Sequence, residues 1–490
     1  MIVYPLSKSR LLSARQCVKR LWLDVHRPAP AVVTPGAEVA LRTGRRVGAA
    51  ARAVYAQRFA GNSRQVRDDA AAEQALAQTA ELLRLQPPAA IFEGAIRHER
   101  VTIRADVLLP EGRDWRLVEV KASTGVQEEH AFDCAIQAWV LQGAGVRLRA
   151  TRLAHVDGGF VYAGDGDYSG LLTETDLTRA VFRLEPEVAR QVATARDVLA
   201  GPEPDIPVGK HCFRPWQCPY VTYCWPLDAD FPVLDLGGSK AKLGSLVEEG
   251  YRDLRDVPPG ELTARQRRIR RVTRSGRASL SAEAAAEMAT IGYPRYHLDF
   301  ETIAPPVPLW AGTRPYEALP FQWSCHYEDR PGEVRHADFL DLSGQPPILR
   351  AASSLLRVLG KEGAVLTYTN YEREVIRRLA RHLPDLAPAL AAVIHRLVDL
   401  RPIVERHYYH PAMRGSWSLK AVLPTIAPDM RYQELDGIQD GTQASEGYLE
   451  AIDPATPASR KSDLERQLRR YCRFDTEAMV RLAHFLAGDC

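Results

Sequence analysis

The stretch HCFRPWQCPYVTYC constrains this chain more than any other. It places Cys212, Cys218 and Cys224 with five residues between each neighbouring pair and a proline after the middle thiol. Spacing that regular is hard to assign to packing. Three thiolates need a fourth ligand, and Cys17 in SARQCVKRLW is the natural candidate. Four thiolates satisfy either a 4Fe–4S cluster or a tetrahedral zinc ion, and spacing alone leaves both open. The remaining cysteines are Cys134, Cys325, Cys472 and Cys490. No apolar run is long enough to span a bilayer and MIVYPLSKSR lacks a signal-peptide core, so a cytoplasmic chain without membrane segments is expected. Disulfides are rare in such a reducing setting, which favours metal or redox chemistry for clustered thiols.

A chain of 490 residues exceeds one comfortable hydrophobic core, and 46% hydrophobic with 26% charged residues reads as ordinary globular protein. The expected fold class is multidomain α/β. Three regions are expected: 1–232, a helical connector over 233–288, and a strand-led unit over 289–490. ALRTGRRVGAAARAVYAQRF and DDAAAEQALAQTAELLRLQ carry helical periodicity. IFEGAIRHE, VTIRADVLL and WRLVEVKAS read as strands, the last two joined by the turn-forming PEGRD. The net charge of +3 does not announce a nucleic-acid binder, but Arg265, Arg267, Arg268, Arg270, Arg271, Arg274 and Arg277 are dense enough for a basic face. A solvated helix surface explains the same run equally well.

Two carboxylate sets follow. Asp106 is expected to end its strand, with Glu119 and Lys121 two apart on the next and therefore on one face. Two carboxylates suit a hard divalent ion such as Mg²⁺, and a lysine adds charge or orients water. Gln137 follows in the helical AFDCAIQAWVL. This set resembles the PD-(D/E)XK nucleases of the RecB-like branch, which includes the CRISPR-associated RecB-type exonucleases, with a restriction-endonuclease-like core. The resemblance implies that Asp106 and Glu119 bind metal, Lys121 is catalytic and Gln137 organises the site, with Glu93 as a further acid. It also implies an iron–sulfur cluster on Cys17, Cys212, Cys218 and Cys224, stapling the ends of the domain, in preference to zinc. The chain departs from many relatives where a metal-binding histidine closes an early G-x-x-x-H: Gly44-Arg45-Arg46-Val47 leads here to Gly48.

In YHLDFET, Asp299 and Glu301 share one strand face, and Tyr471 and Asp475 lie four apart on a C-terminal helix. Ser462 and Glu465 are expected to form the capping box of that helix and Gly488 its stop. D-x-E followed by Y-x-x-x-D resembles the DnaQ-like, RNase-H-fold 3′–5′ exonucleases of the DEDD family. The likeness implies two Mg²⁺ or Mn²⁺ ions on Asp299, Glu301, Glu372 and Asp475, with Tyr471 positioning the attacking water. Glu372 is preferred to Glu374 because it precedes Val375 and Ile376 at helical spacing; Asp399 is a supporting acid, and Ser416 and Lys420 are weaker substrate contacts. The Lys242–Gly250 segment faintly resembles a helix–hairpin–helix element. The order of parts resembles a bacterial family of fusion nucleases, which implies a metal-dependent nuclease acting on single-stranded DNA or DNA ends with little sequence specificity. A non-catalytic nucleic-acid scaffold and an RNA-directed 3′–5′ exonuclease are the alternatives.

Overall fold

The computed structural model describes residues 4–32, 35–59, 61–67 and 71–489, so Cys490 lies outside the described residues. The chain is mixed α/β and multidomain. It divides into two compact units: residues 1–226, 240–248 and 305–316 form the first, and residues 227–239, 249–304 and 317–490 the second. The expected connector over 233–288 is therefore shared between the units rather than standing as a third. The helices Lys240–Glu248 and Ala264–Ser275 belong to the first and the second unit respectively.

The first unit is built on a seven-stranded sheet ordered β2 (Ser63–Gln65), β3 (Ala90–His98), β4 (Val101–Glu111), β5 (Asp114–Lys121), β6 (Leu148–Val156) and β7 (Leu172–Asp176), with β1 (Leu6–Ser7) pairing β4. The turn reads as expected: Glu111 pairs Asp114, and Gly112 takes the left-handed φ of 67° that a tight reversal needs. The β4–β5 ladder runs only from Glu111↔Asp114 to Val107↔Val118. Beyond it β5 diverges, and β1 joins β4 in parallel at Leu6↔Val101 and Ser7↔Thr102. Asp106 sits where the strands part, mid-strand rather than at the strand end expected from sequence. Buried side chains alternate along β4 from Val101 to Val107, so one face enters the core while Asp106 points the other way. The core includes Leu108, Leu117, Phe132, Ile136 and Leu153, all essentially inaccessible.

In the second unit β8 (Ser279–Leu280) and β14 (Tyr408–Tyr409) make a two-stranded ribbon. The main sheet is ordered β11 (Val334–Leu340), β10 (Leu319–Glu328), β9 (Arg295–Ile303), β12 (Ala364–Thr367) and β13 (Leu397–Asp399). β9, β10 and β11 are antiparallel, while β12 and β13 run parallel to β9. The Ala458–Ala487 helix packs on β9 and β10 and buries Leu464, Leu468, Met479 and Leu482. It starts four residues before the expected Ser462 cap, behind Pro457, which leaves Ser462 inside the helix; Pro457 sets an extended entry that the capping pattern does not register. Gly488 ends it as expected, at a left-handed φ of 83°. Among the described residues no helix is long and apolar enough to cross a membrane.

Candidate metal and cluster sites

The first carboxylate site lies in the β4–β5 fork. Glu119 and Lys121 share a strand face as expected, and Lys121 Nζ donates to Glu119 Oε1 at 2.7 Å. Asp106 accepts from the Val120 backbone N–H at 2.8 Å. Gln137 projects from the Glu128–Gly143 helix and donates to Glu119 Oε2 at 2.6 Å, while its own Oε1 is buried without a hydrogen-bond partner. Two members went unrecognised in the sequence. Asp133, one helical turn before Gln137, receives the Lys121 ammonium. Lys8, the first residue of the Lys8–Gln16 helix, donates to Glu119 Oε1 at 2.8 Å and lies 3.1 Å from Asp133 Oδ1. The i, i+4 spacing of Asp133 and Gln137 was a usable signal for the former; nothing near Lys8 in the sequence announces its partners. Glu93 falls between the Phe92↔Val107 and Gly94↔Ala105 pairs of β3 and β4, opposite Asp106, and pairs with Arg52 at 2.8 Å.

Burial, reinforced by the nearby Glu119 charge, pushes the Asp106 carboxyl up to about 8. Burial acts on Glu119 in the same direction, but the ammonium groups of Lys121 and Lys8 outweigh it and hold that carboxyl far below its ordinary value. Asp106 and Glu119 thus ionise very differently.

The second carboxylate site is gathered by β9, the Tyr371–His382 helix and the Ala458–Ala487 helix. Asp299 and Glu301 alternate on β9, and Glu372 sits buried in the first turn of its helix. Glu374, by contrast, faces outward and pairs with Arg377. Asp475 accepts a hydrogen bond from Tyr432, and the nearby Tyr471 hydroxyl also lowers its proton affinity. Tyr432 was not anticipated. Lys420 lies with Nζ 4.9 Å from the Tyr432 ring centroid and 5.5 Å from that of Tyr471, and donates to the Gln439 carbonyl at 2.7 Å. Asp399 caps the Leu400–His407 helix, accepting from Arg401 N at 2.9 Å, while its charge also raises Glu372, and Ser416 donates to Ser418.

Desolvation and mutual repulsion raise every acid here. Burial and then the Asp475 and Glu301 charges push Asp299 well above the carboxylate range, and burial with Asp475 does the same to Glu301. Burial lifts Glu372 to about 8 and Asp475 to about 6, the latter moderated by Tyr432 and Lys420. Asp299, Glu301 and Cys472 each present a ligand atom within 4.8 Å of the others, the one such trio among the described residues. A compact set of acids with raised proton affinity is a set short of positive charge, and protons or cations both supply it.

The four predicted cluster cysteines line one pocket, with Lys19, Arg20 and Tyr220. Cys17 occupies the break between the Lys8–Gln16 and Val18–His26 helices, where backbone N–H groups of Lys19 and Arg20 face its sulfur. The Cys218 N–H donates to the Cys212 carbonyl at 2.8 Å, turning the loop back on itself. None forms a disulfide. Burial raises Cys17, Cys218 and Cys224, the last to about 11, and neighbouring thiols contribute to each shift.

In the Ala264–Ser275 helix, Ile269 and Val272 are buried, while Arg265, Arg267, Arg271 and Arg274 are exposed. Arg268 is half-buried and donates to the Glu405 and Arg406 carbonyls.

A family model described as a domain of unknown function, DUF2779, matches residues 296–418. That span holds Asp299, Glu301 and Glu372 and stops before Lys420, Tyr432, Tyr471 and Asp475. No curated protein matches the chain.

Proposed function

We propose that the protein is a metal-dependent nuclease that hydrolyses phosphodiester bonds in single-stranded DNA or at DNA ends. The convergence of Glu301 and Glu372, which are buried, with the half-buried Asp299 and Asp475, opposed by little more than Lys420, carries this reading. Such a donor set fits hard divalent cations, Mg²⁺ or Mn²⁺, which take oxygen ligands. When bound, two such ions supply an activated water and stabilise charge on the phosphate. Tyr432 holds the Asp475 carboxylate, and the neighbouring Tyr471 hydroxyl would hold the attacking water. Lys420, whose ammonium lies 5.5 Å from the Tyr471 ring centroid, would meet an incoming phosphate. Three antiparallel strands followed by two parallel ones support an RNase-H-like reading of the second unit.

The first unit is read as a RecB-like PD-(D/E)XK domain. Asp106 and Glu119 would hold a divalent ion there, Lys121 supplies positive charge, and Gln137 fixes Glu119 from below. The four thiols fit a metal cluster, in keeping with a cytoplasmic, reducing setting. The likeness to iron–sulfur RecB-like domains, rather than the spacing, favours a 4Fe–4S cluster, in which each thiolate would bind its own iron. Its role is structural: it ties Cys17 to the 212–224 loop.

The test is cleavage of matched end-labelled DNA and RNA oligonucleotides with Mn²⁺ or Mg²⁺ and with chelator. Metal-dependent shortening of DNA in preference to RNA is expected. Preferred cleavage of RNA would reassign the substrate, and tight binding without turnover would make the protein a scaffold.

A further inference from the structure

The two carboxylate sites differ in charge. In the second, four carboxylates face one ammonium group. In the first, Asp106, Glu119 and Asp133 face Lys8 and Lys121, leaving one formal negative charge. Both oxygens of Glu119 are already taken, Oε1 by the two ammonium groups and Oε2 by Gln137. Lys121 comes from the same strand as Glu119. Lys8 comes from elsewhere in the chain, and its position is built: β1 pairs with β4, and Ser7 caps the helix that Lys8 opens, accepting from Arg10 N at 3.3 Å. The ammonium is thereby delivered between Glu119 and Asp133. The side chains of Glu119 and Asp133 are 2% and 5% exposed, but that of Lys8 is 21% exposed, so it covers the acids from the solvent side.

We infer that Lys8 is a resident counter-ion occupying a cation position of the first site, and that it limits how tightly the site takes a divalent ion. The inference rests on the reading of Asp106 and Glu119 as cation ligands. An ammonium at 2.8 Å from Glu119 Oε1 both blocks that oxygen and repels an incoming dication. The buried, unpartnered Gln137 Oε1 is a second sign that the site is incomplete in this arrangement. For a divalent ion to use Glu119 Oε1 beside Lys121, Lys8 must swing out, and its partly exposed side chain permits this. Lys8 is thus a positioning and affinity-setting residue.

The experiment measures Mn²⁺ binding to the full chain by the electron paramagnetic resonance of free Mn²⁺. The parent carries Asp299→Asn and Asp475→Asn, so that the second site is disabled. Adding Lys8→Met, which keeps the length of the stem, is expected to tighten binding of one Mn²⁺ by about tenfold or more. Lys8→Arg is expected to leave the parent affinity, and Glu119→Gln to abolish the gain. If the methionine variant does not fold, Lys8→Gln removes the charge while keeping a hydrogen-bonding group, and the same gain is expected. Equal Mn²⁺ affinity in the folded neutral variant and the parent would overturn the inference alone. No Mn²⁺ bound in either would overturn it together with the reading of the first site as a cation site.

Discussion

Tyr432 donates to Asp475 and Tyr471 lies beside it, yet that carboxyl still sits near 6, and Glu372 sits near 8. These acids hold protons more tightly folded than unfolded. Their ionisation therefore opposes folding: the cost is absent below the ordinary carboxylate range, grows through pH 4 to 8, and is complete above about 8. Metal-free protein is expected to melt at progressively lower temperature between pH 5 and 8, and Mn²⁺ is expected to restore the loss at pH 8. Asp299→Asn removes one of the repelling charges. It should raise the metal-free melting temperature at pH 8 by roughly 2–4 °C per kcal/mol relieved, and calorimetry with and without chelator reads both effects. A pH-independent melting temperature would show that these carboxylates are not ionised together. Glu119 behaves oppositely. Its depressed value contributes stability that is present above about pH 4.5 and declines as pH falls below it.

At the scale of elements, Cys17 shows what a helix break does. Its backbone is extended between two helices, which turns its sulfur toward the 212–224 loop. Cys17→Ser is expected to bleach the visible absorption of anaerobically purified protein and lower the melting temperature of the first unit, while the second unit keeps its folded signal. Retained visible absorption would remove Cys17 from the ligand set. The hairpin, the D-x-E strand, the Gln137 helix and the Gly488 stop were all legible in sequence, because each rests on local periodicity or turn chemistry. Lys8 and Tyr432 were not legible. Lys8 reaches Glu119 from 111 residues away because a two-residue strand adds to β4, and so short a strand leaves no periodic trace. Tyr432 meets Asp475 from a single 3₁₀ turn, Tyr432–Glu434, that follows irregular chain. The start of the last helix was misplaced because propensity alone does not choose among several adjacent starting points.

At the scale of the whole molecule, the chain presents two separate carboxylate sites, one in each compact unit, and an arginine-rich helix in the second. Arg271→Ala with Arg274→Ala is expected to weaken single-stranded DNA binding and reduce the slope of log affinity against log salt by about 0.7 per lost phosphate contact. An unchanged slope would return those arginines to a solvated surface. The balance of charge makes the second site the stronger claimant for catalysis, because its acids lack the internal ammonium pair that covers Glu119. The decisive measurement is Mn²⁺-dependent cleavage of end-labelled single-stranded DNA by the wild type, Lys121→Ala and Asp299→Ala, each verified as folded. Wild type should shorten the strand, and Asp299→Ala should lose about 100-fold or more of that activity, with a smaller loss for Lys121→Ala. Undiminished cleavage by Asp299→Ala, or no cleavage of DNA or RNA by folded wild type, would contradict it.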